Sequence, residues 1–445
     1  MSDQRWAVIG GGMLGLGAAH LLQGEGRQVT VLESADHMGG LAVPWEVGTI
    51  RWDRHYHVIS PADHTLLGLL NELGLESEVK WSPTRTGAFI GGRLYPATST
   101  FDFLRLPGLG LIDKLRIGLT VLRASRVKDV RSLESVPIRP WLVKRSGERA
   151  YTNFWEPLLK AKLGEAHRTA SAAFIVAIMR RLYEARRAGM KQEMFGYVSG
   201  GYATILDRLV RRLRADGVNL LTATAVRAVE PSERAVTVTT ADGTSFEFDR
   251  VVLTVAPQLA ARMLPSLAPQ AREGLMSIDY IGVVCASLVA TAPITNCYVT
   301  NLIDPAPFTG IIEMSSLVDE TELDAKTLVY LPRYAVADDP IFQMEDDEIR
   351  RQFMGSIEAM FPAFDPASVE AFRVSKAPYV LPRPTLEYSS KVPEVRTSLP
   401  GVLMASSANI VNGTLNVNEV LELAESLVEK ALEAKWDDMS KVASS

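Results

Sequence analysis

The 445-residue sequence predicts an α/β fold, in which a doubly wound first domain is interrupted by an inserted α+β lobe. Two observations predict this class. The chain opens with an apolar strand, a glycine-rich turn, a helix and a second strand, which together form a complete βαβ unit. The same alternation returns near residue 200 and again near residue 401, after stretches of different texture. The length also exceeds the usual span of one domain.

The elements of the first half follow from periodicity and turn residues. Residues 6–9 and 28–33 are predicted strands, 10–17 a turn and 18–24 a helix. Residues 86–96 predict a β-hairpin about a Gly-Gly turn, which begins the inserted lobe. Helices are expected within 104–126 and 174–187.

The second half returns to the first domain and then resumes the lobe. Predicted elements are a helix at 202–216, strands at 218–222, 235–240, 250–256, 310–315 and 327–334, an acidic helix start at 345–348, a strand at 401–406 and a helix at 417–434. We therefore assign 1–80, 195–258 and 398–445 to the first domain. Residues 81–194 and 259–397 are assigned to the inserted lobe, which we expect to be the substrate domain.

Composition restricts the partners and the compartment. A formal net charge of −5 and a pI near 5.8 give no strong attraction for phosphate backbones, so nucleic acid is not an expected partner. Cys285 and Cys297 lack metal-ligand spacing and suit a reducing compartment, which makes the cytoplasm the default location. No apolar run reaches the roughly 18–20 residues of a membrane span. We expect 104–126 to form an amphipathic core helix, with peripheral membrane contact the less favoured alternative.

The first chemical motif is Gly10-x-Gly12-x-x-Gly15, placed between a strand and a helix, with Glu33 ending the next strand. Gly10 permits the tight turn, Gly12 lets backbone amides approach a pyrophosphate, and Gly15 allows close packing of helix on sheet. The Glu33 carboxylate can accept hydrogen bonds from a ribose and would repel a 2′-phosphate. The motif predicts a dinucleotide site that does not take NADP.

Gly39-Gly40 follows Glu33 by six residues. With this pair the chain resembles the flavoprotein superfamily of monoamine oxidases, protoporphyrinogen oxidases and carotenoid desaturases, and most closely its protoporphyrinogen oxidase-like branch. The resemblance covers most of the chain and extends to four further segments, namely Tyr95–Pro96, Trp155–Leu159, Gly200–Tyr202 and Val251–Pro257.

The resemblance implies a Rossmann-like FAD-binding domain. It places Val226 against the adenine, and the segment 405–418, with Ser407, Asn416 and Val417, at the ribityl chain and the pyrimidine edge of the flavin. Non-covalent binding is expected, since that segment has no cysteine. The chain departs from many relatives in carrying Ser406-Ser407 where they have a Gly-Asp pair.

The residues of this C-terminal loop allow two interpretations. Its asparagines at positions 409, 412, 416 and 418 offer both donors and acceptors to a ligand, and amides at the start of the helix at Val417 could face an electron-rich carbonyl. A polar loop that caps the helix explains Asn416 equally well.

A third cluster spans Trp52 to His57 and runs, by resemblance, beside the flavin ring. We expect His55, Tyr56 and His57 to be catalytic, the histidines as proton carriers with pKa values near neutrality. On a strand, Asp53, His55 and His57 would share one face. This spacing makes a poor metal site, and no metal is expected. Further candidates for lining a substrate cavity are Arg333, Tyr334, Tyr379, Arg383 and Tyr388.

These features predict an FAD-dependent oxidoreductase that passes hydride from a small organic substrate to flavin N5, with oxygen or another acceptor reoxidising the flavin. Two alternatives stay open: a flavin-dependent isomerase resembling UDP-galactopyranose mutase, and a non-catalytic dinucleotide-binding protein. A true amine oxidase is disfavoured, because residues 405–419 contain no aromatic side chain to cage an amine. The sequence carries no signal for the oligomeric state.

Overall fold

The computed structural model describes residues 4–187, 193–233, 235–411, 413 and 415–433. Asn412 and residues 434–445 of the sequence-based assignments lie outside the described residues. Within those ranges the helices are α1 (Met13–Gly24), α2 (His64–Glu72), α3 (Thr100–Arg105), α4 (Leu111–Ala124), α5 (Ile138–Ser146), α6 (Glu148–Ala150), α7 (Glu156–Leu163), α8 (Ala172–Arg187), α9 (Tyr202–Ala215), α10 (Pro257–Met263), α11 (Pro269–Met276), α12 (Asp346–Met360) and α13 (Val417–Leu432). The strands of the same ranges are β1 (Arg5–Ile9), β2 (Gln28–Leu32), β3 (Pro44–Val47), β4 (Ile50–Asp53), β5 (Val79–Pro83), β6 (Thr86–Ile90), β7 (Arg93–Pro96), β8 (Met194–Val198), β9 (Asn219–Leu221), β10 (Val226–Pro231), β11 (Val236–Thr240), β12 (Ser245–Phe248), β13 (Arg250–Leu253), β14 (Tyr280–Ala290), β15 (Val299–Leu302), β16 (Gly310–Glu313), β17 (Thr327–Val336), β18 (Val369–Pro382) and β19 (Val402–Met404).

A five-stranded parallel sheet, in the order β19-β13-β1-β2-β9, confirms the doubly wound first domain. Its strands come from three separate parts of the chain, so the domain is discontinuous as expected. On β1, Trp6 and Val8 pack among the helices α1, α9 and α13, while Ala7 and Ile9 pack on the opposite face with the antiparallel sheet β10-β11-β12. Burial on both faces explains the continuous apolar run of this strand.

Helix α1 begins at Met13, so the predicted turn over 10–17 is too long. Gly15 and Gly17, which suggested a longer turn, lie inside the helix at positions where neighbouring atoms leave no room for a side chain. A Cβ at Gly15 would lie 1.9 Å from the carbonyl oxygen of Gly10, and one at Gly17 would lie 3.0 Å from Leu421 of α13. The helix thus packs tightly against both the turn and α13.

The inserted lobe is built on a seven-stranded mixed sheet in the order β18-β14-β17-β16-β15-β6-β7. The predicted hairpin is confirmed as β6 and β7 about Gly91-Gly92. The central strand β14 is buried along its whole length and carries no alternating pattern. One face of the sheet packs on α12, and the other contacts Trp52 and Tyr56. The second face therefore borders the cluster expected beside the flavin.

Helices α4 to α8 form a separate apolar cluster beside this sheet. The expectation that 104–126 is a core helix is wrong for five of its eleven apolar residues, which are exposed. Leu111, Ile112 and Leu115 are exposed, whereas Lys114 and Ile117 are buried. The burial of Lys114 is tolerated because its Nζ donates to two main-chain carbonyl oxygens at the end of α3, each at 2.8 Å. In the part of the chain that the structure describes, no helix is both long and apolar enough to cross a bilayer.

Candidate functional site

The glycine-rich turn connects β1 to α1 and is closed by short backbone contacts. Gly10 donates its N–H to the Leu32 carbonyl at 2.9 Å, and Leu16 donates to the Gly12 carbonyl at 2.9 Å. The bond from Leu16 is the first one within the helix. The backbone N–H groups between Gly12 and Leu16 therefore have no carbonyl partner inside the helix and point out of its N-terminal end. No acidic side chain occupies that turn. The helix end therefore presents unopposed donors to an anion.

Gly39 and Gly40 pack directly on the glycine-rich turn. Gly39 forms an isolated parallel bridge with Gly12 and donates its N–H to the Gly11 carbonyl at 2.7 Å. A Cβ on Gly40 would lie 3.0 Å from the Cα of Gly12. The structure thus brings the two glycine motifs of the sequence into one cradle.

Glu33 closes the other side of this cradle. Its Oε2 accepts from the Gly11 N–H at 2.6 Å, and its Oε1 accepts from the Ala35 N–H at 2.9 Å. Oε1 also accepts from Ser34 Oγ at 3.1 Å, so of the roughly four acceptor positions of the carboxylate the free one lies on Oε2, which keeps room for a ribose hydroxyl. The Glu33 carbonyl accepts from Thr224 N–H at 2.7 Å, which holds the segment leading to Val226 beside it. Val226, half-buried, begins β10.

The C-terminal segment returns to the site after β19. Ser406 is buried and its Oγ accepts from the Ala408 N–H at 3.2 Å, while Ser407 Oγ donates to the phenol oxygen of Tyr280 at 3.3 Å. Tyr388 donates its hydroxyl to the Ala408 carbonyl at 2.8 Å. The two serines that replace the Gly-Asp pair are thus bonded within the protein and supply no negative charge.

The side chain of Asn416 caps the helix α13, as the second interpretation of this loop predicts. Its Oδ1 accepts from the Glu419 N–H at 3.0 Å at the start of α13. Val417 is buried in the core with α1, so only its backbone remains for a ligand. Asn418 Oδ1 accepts from the Leu66 N–H at 3.0 Å, which ties α13 to α2.

Asp53 ends β4, so the expected continuous strand through His57 is wrong. The chain leaves the strand because the Asp53 side chain is 1% exposed and is held by α9, its Oδ1 accepting from the Tyr202 N–H at 2.8 Å. Burial raises the pKa of this carboxyl well above its usual value. A Cβ on Gly201 would lie 2.8 Å from the same oxygen. The pair Gly200-Gly201 therefore has a packing role at the site.

His55 and His57 lie in the irregular segment after β4 and do not share a strand face. His55 is bonded at both ring nitrogens, Nδ1 to the Leu41 carbonyl at 3.3 Å and Nε2 to Ser375 Oγ at 3.2 Å. The His57 ring packs on Tyr202 with centroids 5.0 Å apart, and within the described structure its shielded Nδ1 has no partner.

Burial lowers the pKa of His55 to about 4 and that of His57 to about 3, the latter with a further contribution from His55. The expectation of pKa values near neutrality is therefore wrong, because desolvation disfavours the imidazolium. Both rings are neutral at pH 7. Each then has one nitrogen that donates and one that accepts.

Tyr56 faces the seven-stranded sheet. Its phenol oxygen lies 2.7 Å from that of Tyr334 on β17, and its ring lies 6.0 Å from that of Tyr330. Burial raises the pKa of both hydrogen-bonded phenols. The Tyr330 hydroxyl donates to the Asp53 carbonyl at 2.5 Å, which anchors the segment to the sheet. Sequence reasoning missed Tyr330, which lies among other apolar residues of β17.

Of the other residues proposed to line a substrate cavity, the tyrosines lie at the site and the two arginines form ion pairs away from it. Tyr379 packs edge-on against Tyr280, centroids 5.6 Å apart, beside the Ser407 hydroxyl. The two arginines are bonded to acidic side chains elsewhere: Arg333 to Asp339 and Arg383 to Asp279. Tyr280 was also missed, because β14 has no alternation to identify it.

The chemistry of these donors fits a dinucleotide that carries a flavin. A Cβ at Gly12 would meet nothing nearer than the Gly40 Cα at 3.9 Å, so open space lies above the turn where a pyrophosphate would sit. His57, which packs on Tyr202, and Tyr56, which is bonded to Tyr334, offer neutral polar groups. Within the described residues, no group of three His, Cys, Asp or Glu side chains is placed to hold a metal ion.

Comparison with known proteins agrees with this geometry. Residues 14–421 match the model of the family described as flavin containing amine oxidoreductase. Coproporphyrinogen III oxidase of Mycobacterium tuberculosis is 23% identical over 433 residues, covering 92% of this chain and 93% of the relative.

Two solved structures share the fold. A provisionally named protoporphyrinogen oxidase from Exiguobacterium sp. 255-15 has a TM-score of 0.78 at 18% identity, covering 98% of this chain and 100% of that chain. Reduced UDP-galactopyranose mutase has a TM-score of 0.74 at 14% identity, covering 96% and 95%. Since the family match spans most of the chain, this protein belongs to the family of flavin-containing amine oxidoreductases.

Proposed function

We propose that this chain binds FAD without a covalent bond and oxidises a small organic substrate. The observation that carries the proposal is the packing of Gly39-Gly40 on the turn Gly10–Gly15, with Glu33 closing the same cradle. Bound FAD supplies a two-electron acceptor at flavin N5. We further propose that residues 1–80, 195–258 and 398–445 make up its binding domain.

The protein's part is binding and orientation. Amides at the start of α1 would bind the pyrophosphate, Glu33 a ribose, and the segment at Val226 the adenine. Backbone at Ser407 and Val417 would contact the ribityl chain and the pyrimidine edge, since the side chains of that loop are bonded internally. Cys285 is fully buried in the seven-stranded sheet, and burial raises its pKa far above the usual range. This thiol is therefore neutral and shielded, which supports non-covalent binding.

The segment His55–His57 would cover the reactive end of the cofactor. Substrate oxidation releases a proton along with the hydride, and the unprotonated nitrogen of a neutral imidazole would relay that proton rather than keep it, because the lowered pKa of the buried ring disfavours the imidazolium. The half-buried His57 is the better candidate, because both nitrogens of His55 are already bonded. Tyr56 and Tyr334 would hold the substrate with neutral hydroxyls.

A substitution that fills the open space above the glycine-rich turn tests the cofactor site. Gly12→Ala should leave the fold intact, because its Cβ meets no close atom, but the methyl group would intrude on a bound pyrophosphate. We expect the purified variant to lose the flavin absorbance band while its urea unfolding midpoint without cofactor is unchanged. The matched control is Gly24→Ala, at the other end of α1, where a Cβ also meets nothing within 4 Å. Full flavin content in Gly12→Ala would contradict the proposal.

Anaerobic bleaching separates oxidation from isomerisation. An oxidase substrate should bleach the flavin band stoichiometrically, whereas a mutase consumes no reducing equivalents. A porphyrinogen and a primary amine are the two substrate classes to compare first, given the name of the relative and that of the family. Acid precipitation should release the flavin into the supernatant if it is non-covalent.

The free thiols of Cys285 and Cys297 support a cytoplasmic location.

A further inference from the structure

A short loop of the inserted lobe is hydrogen-bonded to residues that we assign to the first domain. The loop, residues 319–326, connects β16 to β17, and we call it the bridging loop. At one end of it Asp319 donates its N–H to the Tyr197 hydroxyl at 2.9 Å. At the other end Lys326 donates to Thr49 Oγ1 at 3.0 Å. The bridging loop therefore fastens the inserted lobe to the first domain at two separate places.

Glu322, in the middle of the bridging loop, adds three further hydrogen bonds. Its Oε1 accepts from Lys80 Nζ at 2.8 Å and from Ser199 Oγ at 2.6 Å, and its Oε2 accepts from the Gly200 N–H at 3.0 Å. The side chain is only 12% exposed. Burial opposes ionisation, but the three donors outweigh it and lower the pKa of the Glu322 carboxyl below its usual value. The carboxylate is therefore charged at neutral pH.

The backbone of the bridging loop is held in a strained conformation. Asp324 and Ala325 both have positive φ angles, 50° and 56°, although neither is a glycine. Leu323, just before them, is fully buried in the apolar cluster that contains Trp52 and Tyr197. Such strain persists only where the surrounding contacts determine it, and it concentrates at functional sites. The loop thus holds its carboxylate on a rigid support.

The turn before α9 connects the bridging loop to the candidate site. Gly200 and Gly201 form this turn with left-handed backbone, their φ angles being 78° and 67°. Directly after them, Tyr202 donates its N–H to the buried Asp53 carboxyl, and its ring packs on His57. The carboxylate of the bridging loop therefore binds the chain only two residues before the ring that contacts the proposed proton carrier.

We propose that Glu322 is a positioning residue for substrate oxidation: it fixes the turn before α9 and so sets where the Tyr202 ring holds His57. This role rests on the proposed function, in which His57 relays the proton released with the hydride. Without the carboxylate, the turn loses these bonds to the inserted lobe. A small displacement of the histidine would slow the reaction, because proton transfer needs close and aligned groups. Glu322 thus acts on the reaction without touching cofactor or substrate.

Two control variants separate positioning from a purely structural role. Lys326→Gln breaks the bond of the bridging loop to Thr49 but leaves the turn before α9 untouched. Lys80→Gln removes the charged partner of Glu322, which is half-exposed, and keeps both bonds to the turn. If the loop only stabilises the protein, these variants and Glu322→Gln should differ in unfolding midpoint alone.

The imidazole NMR resonances of the holoprotein report the position of His57 without any substrate. The chain has six histidines, and His57→Gln assigns the signal. We expect Glu322→Gln to shift this resonance, because an amide nitrogen cannot accept and leaves a donor of the turn without a partner. The two control variants should leave the resonance in place.

Ser199→Ala removes one of the three bonds of Glu322. It should shift the His57 resonance in the same direction as Glu322→Gln, but by less. Because this substitution is small, it also decides the proposal if Glu322→Gln does not fold.

Anaerobic flavin bleaching, with coproporphyrinogen III as the first probe and a primary amine as the second, measures the chemical consequence. At saturating substrate Glu322→Gln should slow bleaching about tenfold with KM and flavin content nearly unchanged. Lys326→Gln should bleach at the wild-type rate. Wild-type flavin that neither probe bleaches would count against the proposed function, whereas the resonance separately decides whether Glu322 positions His57.

An unshifted His57 resonance in both Glu322→Gln and Ser199→Ala would overturn the proposal, whatever the unfolding midpoints. Equal shifts in Glu322→Gln and Lys326→Gln would overturn it as well, because the effect would then not pass through the turn before α9.

Discussion

The phenol oxygens of Tyr56 and Tyr334 lie 2.7 Å apart, although the two residues are 278 positions apart in the chain. Tyr56 follows the hairpin β3-β4, and Tyr334 belongs to the central region of the seven-stranded sheet. This bond joins the segment that holds the two histidines to the inserted lobe. Together with the bonds of Tyr330 to Asp53 and of Ser375 to His55, this bond between neutral hydroxyls connects the two halves of the candidate site.

Tyr56→Phe or Tyr334→Phe should each lower the free energy of unfolding by about 1–2 kcal/mol, because each leaves the partner hydroxyl unsatisfied. The double variant should lose no more than either single variant, since no unpaired hydroxyl remains. Urea unfolding of all four proteins measures the coupling. Tyr95→Phe, at a half-exposed position, is the control. Additive losses in the double variant would contradict a direct bond.

Acid should destabilise the protein through His55. Its pKa in the folded state is lowered to about 4, so the unfolded chain binds more protons between about pH 6.5 and 4. This stabilisation is complete above the unfolded pKa and is lost as the pH falls through that window, by up to about 1.4 kcal/mol per pH unit. The stability difference between wild type and His55→Gln should shrink accordingly across the window. The exposed His64→Gln should show no such trend in urea unfolding.

Gly201→Ala should destabilise the protein more than Gly243→Ala. Both glycines have positive φ, 67° and 90°, so alanine carries a backbone cost of roughly 1–2 kcal/mol at either position. Only at Gly201 does the new Cβ approach the Asp53 carboxylate, at 2.8 Å, whereas at Gly243 it meets nothing within 4 Å. Unfolding midpoints and flavin content should fall together in Gly201→Ala. Equal losses in the two variants would show that Asp53 does not confine this turn.

Asn416→Ala should cost about 1 kcal/mol of stability, because it removes the cap of α13. Asn416→Asp should keep that stability, since its carboxylate accepts the same N–H and suits the helix N-terminus. Titration of both variants with FAD separates the cap from a ligand contact. If Asn416→Asp folds normally but binds FAD poorly, the amide donates to the cofactor in addition to capping the helix.

The first domain was predictable because its signals are local. Residues 5–32 form a strand, a glycine turn, a helix and a second strand within one short stretch, and Gly39-Gly40 follows soon after. Other residues of the site come from the seven-stranded sheet, such as Tyr330, Tyr280 and Ser375. Only the pairing of strands that are far apart in the sequence brings them to the site. No spacing rule relates such positions.

The orientation of α4 was not predictable for a different physical reason. Its periodicity correctly indicates an amphipathic helix, but the buried face includes Lys114, whose charge is satisfied by carbonyls at the end of the preceding helix. A pattern of apolar and polar residues does not contain that information. The histidines illustrate the same limit, since their pKa values depend on burial by distant elements.

The order of strands in the parallel sheet has a consequence for biosynthesis. β1 pairs with β13, which pairs with β19, and α13 packs against α1. The sheet and the helix layer around β1 and α1 are therefore complete only after β19 and α13, which come much later in the chain, have been synthesised. A chain that terminates before residue 402 lacks the edge strand β19 and the helix α13, so we expect it to leave this domain incomplete.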